Sequence, residues 1–152
     1  MLNNTVDLNE YGIYLSDLKS LYLENIEASF NQYGFYAYNV TGNFDNLTMT
    51  NNEIDGGVLH LSSDIKIFNS SFNYNGVHGL YLKNAINNHI ENCSLNLNDE
   101  ADYYLASSSD SNFLINTTVG NEAPGPWKPD TDNPFNPTWD FVYYNGNTAA
   151  IY

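Results

Sequence analysis

Ile67-Phe-Asn69-Ser-Ser-Phe72-Asn-Tyr-Asn75-Gly-Val-His-Gly79-Leu-Tyr-Leu82 is followed, 23 residues on, by Ile90-Glu-Asn92-Cys-Ser-Leu95-Asn-Leu-Asn98-Asp-Glu-Ala-Asp102-Tyr-Tyr-Leu105. Read outward from these two lines, the first asparagine recurs as Asn3, Asn25, Asn46, Asn69, Asn92 and Asn116, at steps of 22, 21, 23, 23 and 24 residues. Two positions before it stand Met1, Leu23, Phe44, Ile67, Ile90 and Leu114, and three after it stand Val6, Ala28, Met49, Phe72, Leu95 and Val119. Both flanking columns are apolar in every copy. A second asparagine column follows at plus six as Asn9, Asn31, Asn52, Asn75 and Asn98, and then a tetrad: Gly12 to Leu15, Gly34 to Ala37, Gly56 to Leu59, Gly79 to Leu82 and Asp102 to Leu105.

A period near 23 made of short alternating runs, with asparagine and glycine between them and no apolar spacing at i, i+3, i+4, predicts strands joined by tight corners. Each copy is then one coil of a solenoid. The leucine columns of a leucine-rich repeat fail outside Leu18, Leu21 and Leu23, and propeller blades need about twice this period. Stacked coils lie about 4.8 Å apart, the spacing of hydrogen-bonded strands, so equivalent side chains sit one above another. An amide both donates and accepts, which lets a column of asparagines bond to itself, and asparagine tolerates the left-handed backbone of a sharp corner. No single coil can bury its own apolar face, so neighbours share the core.

The motif apolar-x-Asn-x-Ser/Thr-apolar, then Asn, then Gly-apolar-Tyr-Leu, resembles right-handed parallel β-helix repeats of the NosD-like and pectin-lyase-like kind over residues 1–119. The expected fold is all-β, a parallel solenoid of about six coils. The resemblance implies a superfamily of lyases, hydrolases, accessory proteins and non-enzymatic surface proteins, so fold alone leaves function open. Lyase members are implied to use arginine or lysine as base, with acidic groups on calcium; this chain has no arginine, and only Lys66 and Lys83 fall on central coils. The paired-aspartate and Gly-His-Gly motifs implied for hydrolases are absent, Gly76-Val-His-Gly79 being only superficially similar. His60, His78 and His89 show no metal-ligand spacing.

The 152 residues make room for one domain, and a net charge of −14 with few cations excludes nucleic acid or an anionic membrane as a partner through a basic face. Residues 1–10 lack the basic start and apolar core of a signal peptide, and no apolar run is long enough to cross a bilayer. Met1 and Asn3 already occupy repeat columns, so the chain is expected to begin inside a coil and to be a piece of a longer extracellular or cell-surface protein. Asn-x-Ser/Thr occurs at Asn3, Asn39, Asn46, Asn69, Asn92 and Asn116, the acceptor pattern of a glycosylated extracellular protein; the competing reading is that five of these lie in the repeat column, whose own requirements generate the pattern without any glycan. Cys93 has no partner for a disulfide within the chain and is expected to be a small buried thiol.

All five prolines, Pro124, Pro126, Pro129, Pro134 and Pro137, and both tryptophans, Trp127 and Trp139, come after the last repeat. Residues 120–152 are therefore expected to be a cap over the open solenoid end or a linker, with an irregular loop followed by a β-hairpin turning at Asn145-Gly146.

Candidate sites follow from the columns. Within the tetrads, Tyr14, Tyr36, Val58, Tyr81 and Tyr104 are expected to face outward, giving a flat aromatic strip able to stack on sugar rings or simply to stabilise the sheet. Asp99, Glu100 and Asp102 form the densest acidic group in the repeats and are the candidates for paired-carboxylate chemistry on a glycan, Asp102 standing where other copies have glycine. Asp130, Asp132, Asn136 and Asp140 offer oxygen ligands for calcium at near-alternate positions, without the glycine or closing glutamate of a calcium loop. No other cofactor is indicated. The expected function is a non-catalytic module, a spacer or a face for a neutral glycan or another surface protein; the alternative is a fragment of a carbohydrate-active enzyme, either polysaccharide lyase or glycoside hydrolase.

Overall fold

A computed structural model describes residues 4–106, 108–119, 142–144 and 149–151, the last two groups as backbone strands. In chain order the strands are β1 (Asn4–Thr5), β2 (Tyr11–Ser16), β3 (Leu21–Glu27), β4 (Tyr33–Tyr38), β5 (Gly42–Thr48), β6 (Asp55–His60), β7 (Ile65–Phe68) and β8 (His78–Lys83). They continue as β9 (His89–Glu91), β10 (Ser94–Leu95), β11 (Ala101–Ala106), β12 (Asn112–Ile115), β13 (Thr118–Val119), β14 (Val142–Tyr144) and β15 (Ala149–Ile151). No helix occurs among the described residues. Every pairing is parallel and joins one coil to the next, which is the solenoid the period predicts.

Each coil has three faces. The first is the sheet β2-β4-β6-β8-β11-β14, and the second is built from β3, β5, β7, β9, β12 and β15. The third is short: Ile26–Glu27 pairs with Leu47–Thr48, Thr48 bridges to Ser71, Ser71 to Ser94, and β10 pairs with β13. Between the second and third faces lies the repeat asparagine. Asn25, Asn46, Asn69, Asn92 and Asn116 all have φ between 46° and 56°, so one left-handed residue turns the chain where a loop would otherwise be needed. These corner amides are at the surface, where Asn46 Nδ2 donates to Asn25 Oδ1 and Asn116 Nδ2 to Asn92 Oδ1, both at 2.6 Å.

The buried amide ladder is the second column. Backbone N–H of Asn31 donates to Asn52 Oδ1, that of Asn52 to Asn75 Oδ1 and that of Asn75 to Asn98 Oδ1, at 2.9–3.0 Å. Side-chain Nδ2 of Asn52 and of Asn75 donates to the same oxygens. Among the described residues the column runs as far as Asp102, whose Oδ1 accepts from both N and Nδ2 of Asn98 at 3.1 and 2.6 Å. A carboxylate oxygen thus takes the place that the next amide oxygen holds elsewhere. Glycine precedes each rung because a Cβ on Gly56 would lie 2.6 Å from the Gly79 carbonyl oxygen and 2.7 Å from Asn75 Nδ2. A shorter ladder, Asn88 to Asn112, serves the opposite corner.

The core holds the two apolar columns together with the inward tetrad residues Phe35, Ala37, Leu59, Leu80, Leu82, Tyr103 and Leu105. Cys93 is buried among them. The described residues give about five turns. β14 and β15 pair in parallel with β11 and β12, respectively. Asn145 and Gly146, where the hairpin turn is expected, lie outside the described residues.

A tyrosine-rich candidate functional site

The first face gathers the aromatic side chains because three positions of each of its strands point outward. Register runs Tyr11, Tyr33, Asp55, His78, Ala101 in one column and Tyr14, Tyr36, Val58, Tyr81, Tyr104 in the next. A third column runs Ser16, Tyr38, His60, Lys83, Ala106. The four sequence-predicted tyrosines therefore do share one column. Two of them stack, Tyr14 on Tyr36 at 5.8 Å and 16°, beside Tyr11 on Tyr33 at 5.3 Å and 13°, whereas Tyr81 and Tyr104 meet edge to face at 5.0 Å and 64°. The two stacked pairs present ring edges and hydroxyls outward. Tyr14 is 57% exposed.

The stack breaks at β6, where Asp55, Val58 and His60 replace the three tyrosines of β4. Val58 is outside the core cluster yet only 2% exposed, which places it under the flanking side chains of Tyr36 and Tyr81. Tyr36 Oη lies 2.8 Å from His60 Nδ1. Burial, helped by the positive charge of Lys83, holds the His60 imidazole below its ordinary pKa, so it is neutral at pH 7. At the other end of the strand, Asp55 Oδ1 meets His78 Nδ1 at 2.8 Å and accepts the His78 backbone N–H at 3.1 Å. The His78 ring stacks on Tyr104 with centroids 4.6 Å apart and tilts against Tyr81 at 5.3 Å. Burial and then the Asp55 charge raise the Tyr81 pKa; Tyr33 is raised by burial, Asp55 and Glu10, so both phenols stay protonated across the physiological range.

The histidines that look scattered in sequence are thus organised by the coil. Asp55 and His78 are 23 residues apart, one period, and both occupy the position of Tyr11 and Tyr33. That shared repeat position was the signal available in the sequence. The acidic candidates separate: Asp99 and Glu100 are exposed, whereas Asp102 is buried in the ladder, which accounts for its replacing glycine. Asp130, Asp132, Asn136 and Asp140 lie outside the described residues. Among the described residues no three His, Cys, Asp or Glu side chains gather as a metal site, and no helix is long and apolar enough to cross a membrane.

Comparison with curated proteins and with solved structures gives no match. The family model described as "Right handed beta helix region" matches residues 1–134. With its parallel three-faced coils and that match over most of its length, the chain belongs to the right-handed β-helix family.

Proposed function

We propose that this chain is a rigid binding module that holds a neutral glycan along its tyrosine face, as part of an extracellular or cell-surface protein. One observation carries the reading: among the described residues, tyrosines and histidines are concentrated on one of three faces, and Lys83 is the only lysine or arginine in its outward columns. Protonated phenols both donate and accept, as sugar hydroxyls require, and tyrosine rings add apolar surface for the C–H face of a sugar. Rungs repeat at about 4.8 Å, comparable to the length of one pyranose residue, so successive hydroxyls can meet successive sugars along the rod. Net charge −14 opposes anionic polysaccharides.

Isothermal titration with hexasaccharides of unbranched neutral glucans, mannans and xylans tests this. Binding by the wild type and about tenfold weaker binding by the Tyr14→Ser/Tyr81→Ser variant, roughly 1.4 kcal/mol, is the expected result. Failure of every neutral glycan to bind, or equal affinity in the variant, removes the proposal. Release of shorter oligosaccharides during the titration would instead favour a carbohydrate-active enzyme.

A further inference from the structure

We propose that His78, through Nε2, is the polar contact that fixes the register of a neutral glycan on the tyrosine face, with Asp55 as its positioning residue. This rests on the glycan-binding reading above. The column that begins Tyr11, Tyr33 changes at the third coil to Asp55 and at the fourth to His78. Such paired departures from a repeat mark a local requirement.

Asp55 supplies a fixed tautomer. A carboxylate can only accept, so the 2.8 Å contact with His78 places the proton on Nδ1 and leaves Nε2 at the far edge of the ring. Asp55 is itself almost wholly buried, at 4% exposure against 13% for His78, so the carboxylate faces the ring and not the solvent. Nε2 makes no hydrogen bond among the described residues and is not sealed from solvent. The ring cannot swing freely, being stacked on Tyr104 and braced by Tyr81. With one proton on the ring, held at Nδ1 by Asp55, His78 offers an oriented acceptor at Nε2 beside the protonated phenol of Tyr81, which can donate and accept. That combination complements two neighbouring hydroxyls of a sugar, one donating to Nε2 and the other exchanging a bond with Tyr81. A pair that merely tied two coils together would need only the carboxylate and the backbone N–H.

Histidine-labelled protein observed by nitrogen NMR at about pH 8.5, where a histidine is ordinarily neutral, provides the test. For the free protein, a protonated Nδ1 and a bare Nε2 are expected at His78, and Asp55→Asn should turn this single tautomer into a mixture. On addition of the hexasaccharide bound by the wild type, the Nε2 resonance should move. His78→Phe, which keeps the stack on Tyr104, should bind about tenfold more weakly, and His78→Gln should recover part of the loss. If no neutral hexasaccharide binds the wild type, the glycan reading itself falls, and this inference with it. If the wild type binds but the Nε2 resonance stays in place and His78→Phe retains full affinity, only the His78 assignment is overturned. Should His78→Phe fail to fold, the wild-type Nε2 shift and the His78→Gln affinity decide the matter in the same way.

Discussion

At the scale of the residue, two core side chains carry opposite lessons about burial. Tyr103 is fully buried, and its hydroxyl has no hydrogen-bond partner among the described residues. Burial alone drives its pKa far up. An unpaired buried hydroxyl costs about 1–3 kcal/mol, so Tyr103→Phe is expected to raise stability by about 1 kcal/mol in urea denaturation. An unchanged or lowered midpoint would mean that the hydroxyl has found a partner. Cys93 is the satisfied counterpart, with Sγ donating to the Glu91 carbonyl at 3.3 Å. Burial pushes its thiol up to about 11 from 9.0, so the folded protein keeps a proton that the unfolded chain gives up between those values. This contribution to stability is fully present below pH 9 and lost as pH rises through about 11. At pH 8 a thiol reagent should modify Cys93 only at the rate of unfolding; rapid labelling of the folded protein would contradict its placement.

At the scale of the element, the corners decide more than the strands do. Leu8, Phe30, Asn51, Tyr74 and Leu97 form another left-handed column, φ 56–61°, in which only Asn51 is a residue suited to that backbone. Phe30 is largely exposed, so its burial offsets little of the strain, about 1–2 kcal/mol for a left-handed bulky residue. Phe30→Asn should therefore stabilise the protein by about 1 kcal/mol, read as a higher midpoint in thermal or urea unfolding. A lower midpoint would show that Phe30 packs more than its exposure implies.

The corners also mark what was readable beforehand. The columns of Asn46, Asn69 and Asn92, with Phe44, Ile67 and Ile90 before them and Met49, Phe72 and Leu95 after, were sufficient to place a coil, its inward residues and its period. The division of labour between the two asparagine columns was not, since the left-handed turn and the buried ladder both favour the same side chain. The site was half legible. Outward placement of Tyr14, Tyr36, Tyr81 and Tyr104 follows from alternation, but ring angles depend on rung-to-rung packing and are invisible in a one-dimensional pattern. Asp55 with His78 escaped because their chemistry lies one full period apart, where local motif reading does not look.

At the scale of the whole molecule, stability is a sum over coils and their interfaces, because each rung pairs only with its neighbours. Excising Gly56 to His78, one 23-residue period, joins Asp55 to Gly79 with every column still in register. The shortened chain should fold, keep its β-type circular dichroism and unfold with a smaller urea dependence, in proportion to the surface removed. Excision of 20 residues from the same point should not fold, as it shifts side chains out of their columns. Equal folding of the two deletions would show that column stacking is not what holds the rod together.

The buried ladder also has a direction. Each rung's backbone N–H reaches toward the later coil, while its side-chain amide also donates back to a carbonyl of the earlier one, and the last forward reach described is answered by the carboxylate of Asp102. A duplicated coil spliced in before Asn98 finds an amide acceptor above it and a glycine gap to accept its own amide below. The same coil grafted directly onto Asp102 would meet a side chain where its amide should enter. A coil that carries the ladder amide is thus accommodated anywhere before that rung and obstructed directly upon it, as a new tooth is by the stop of a zipper.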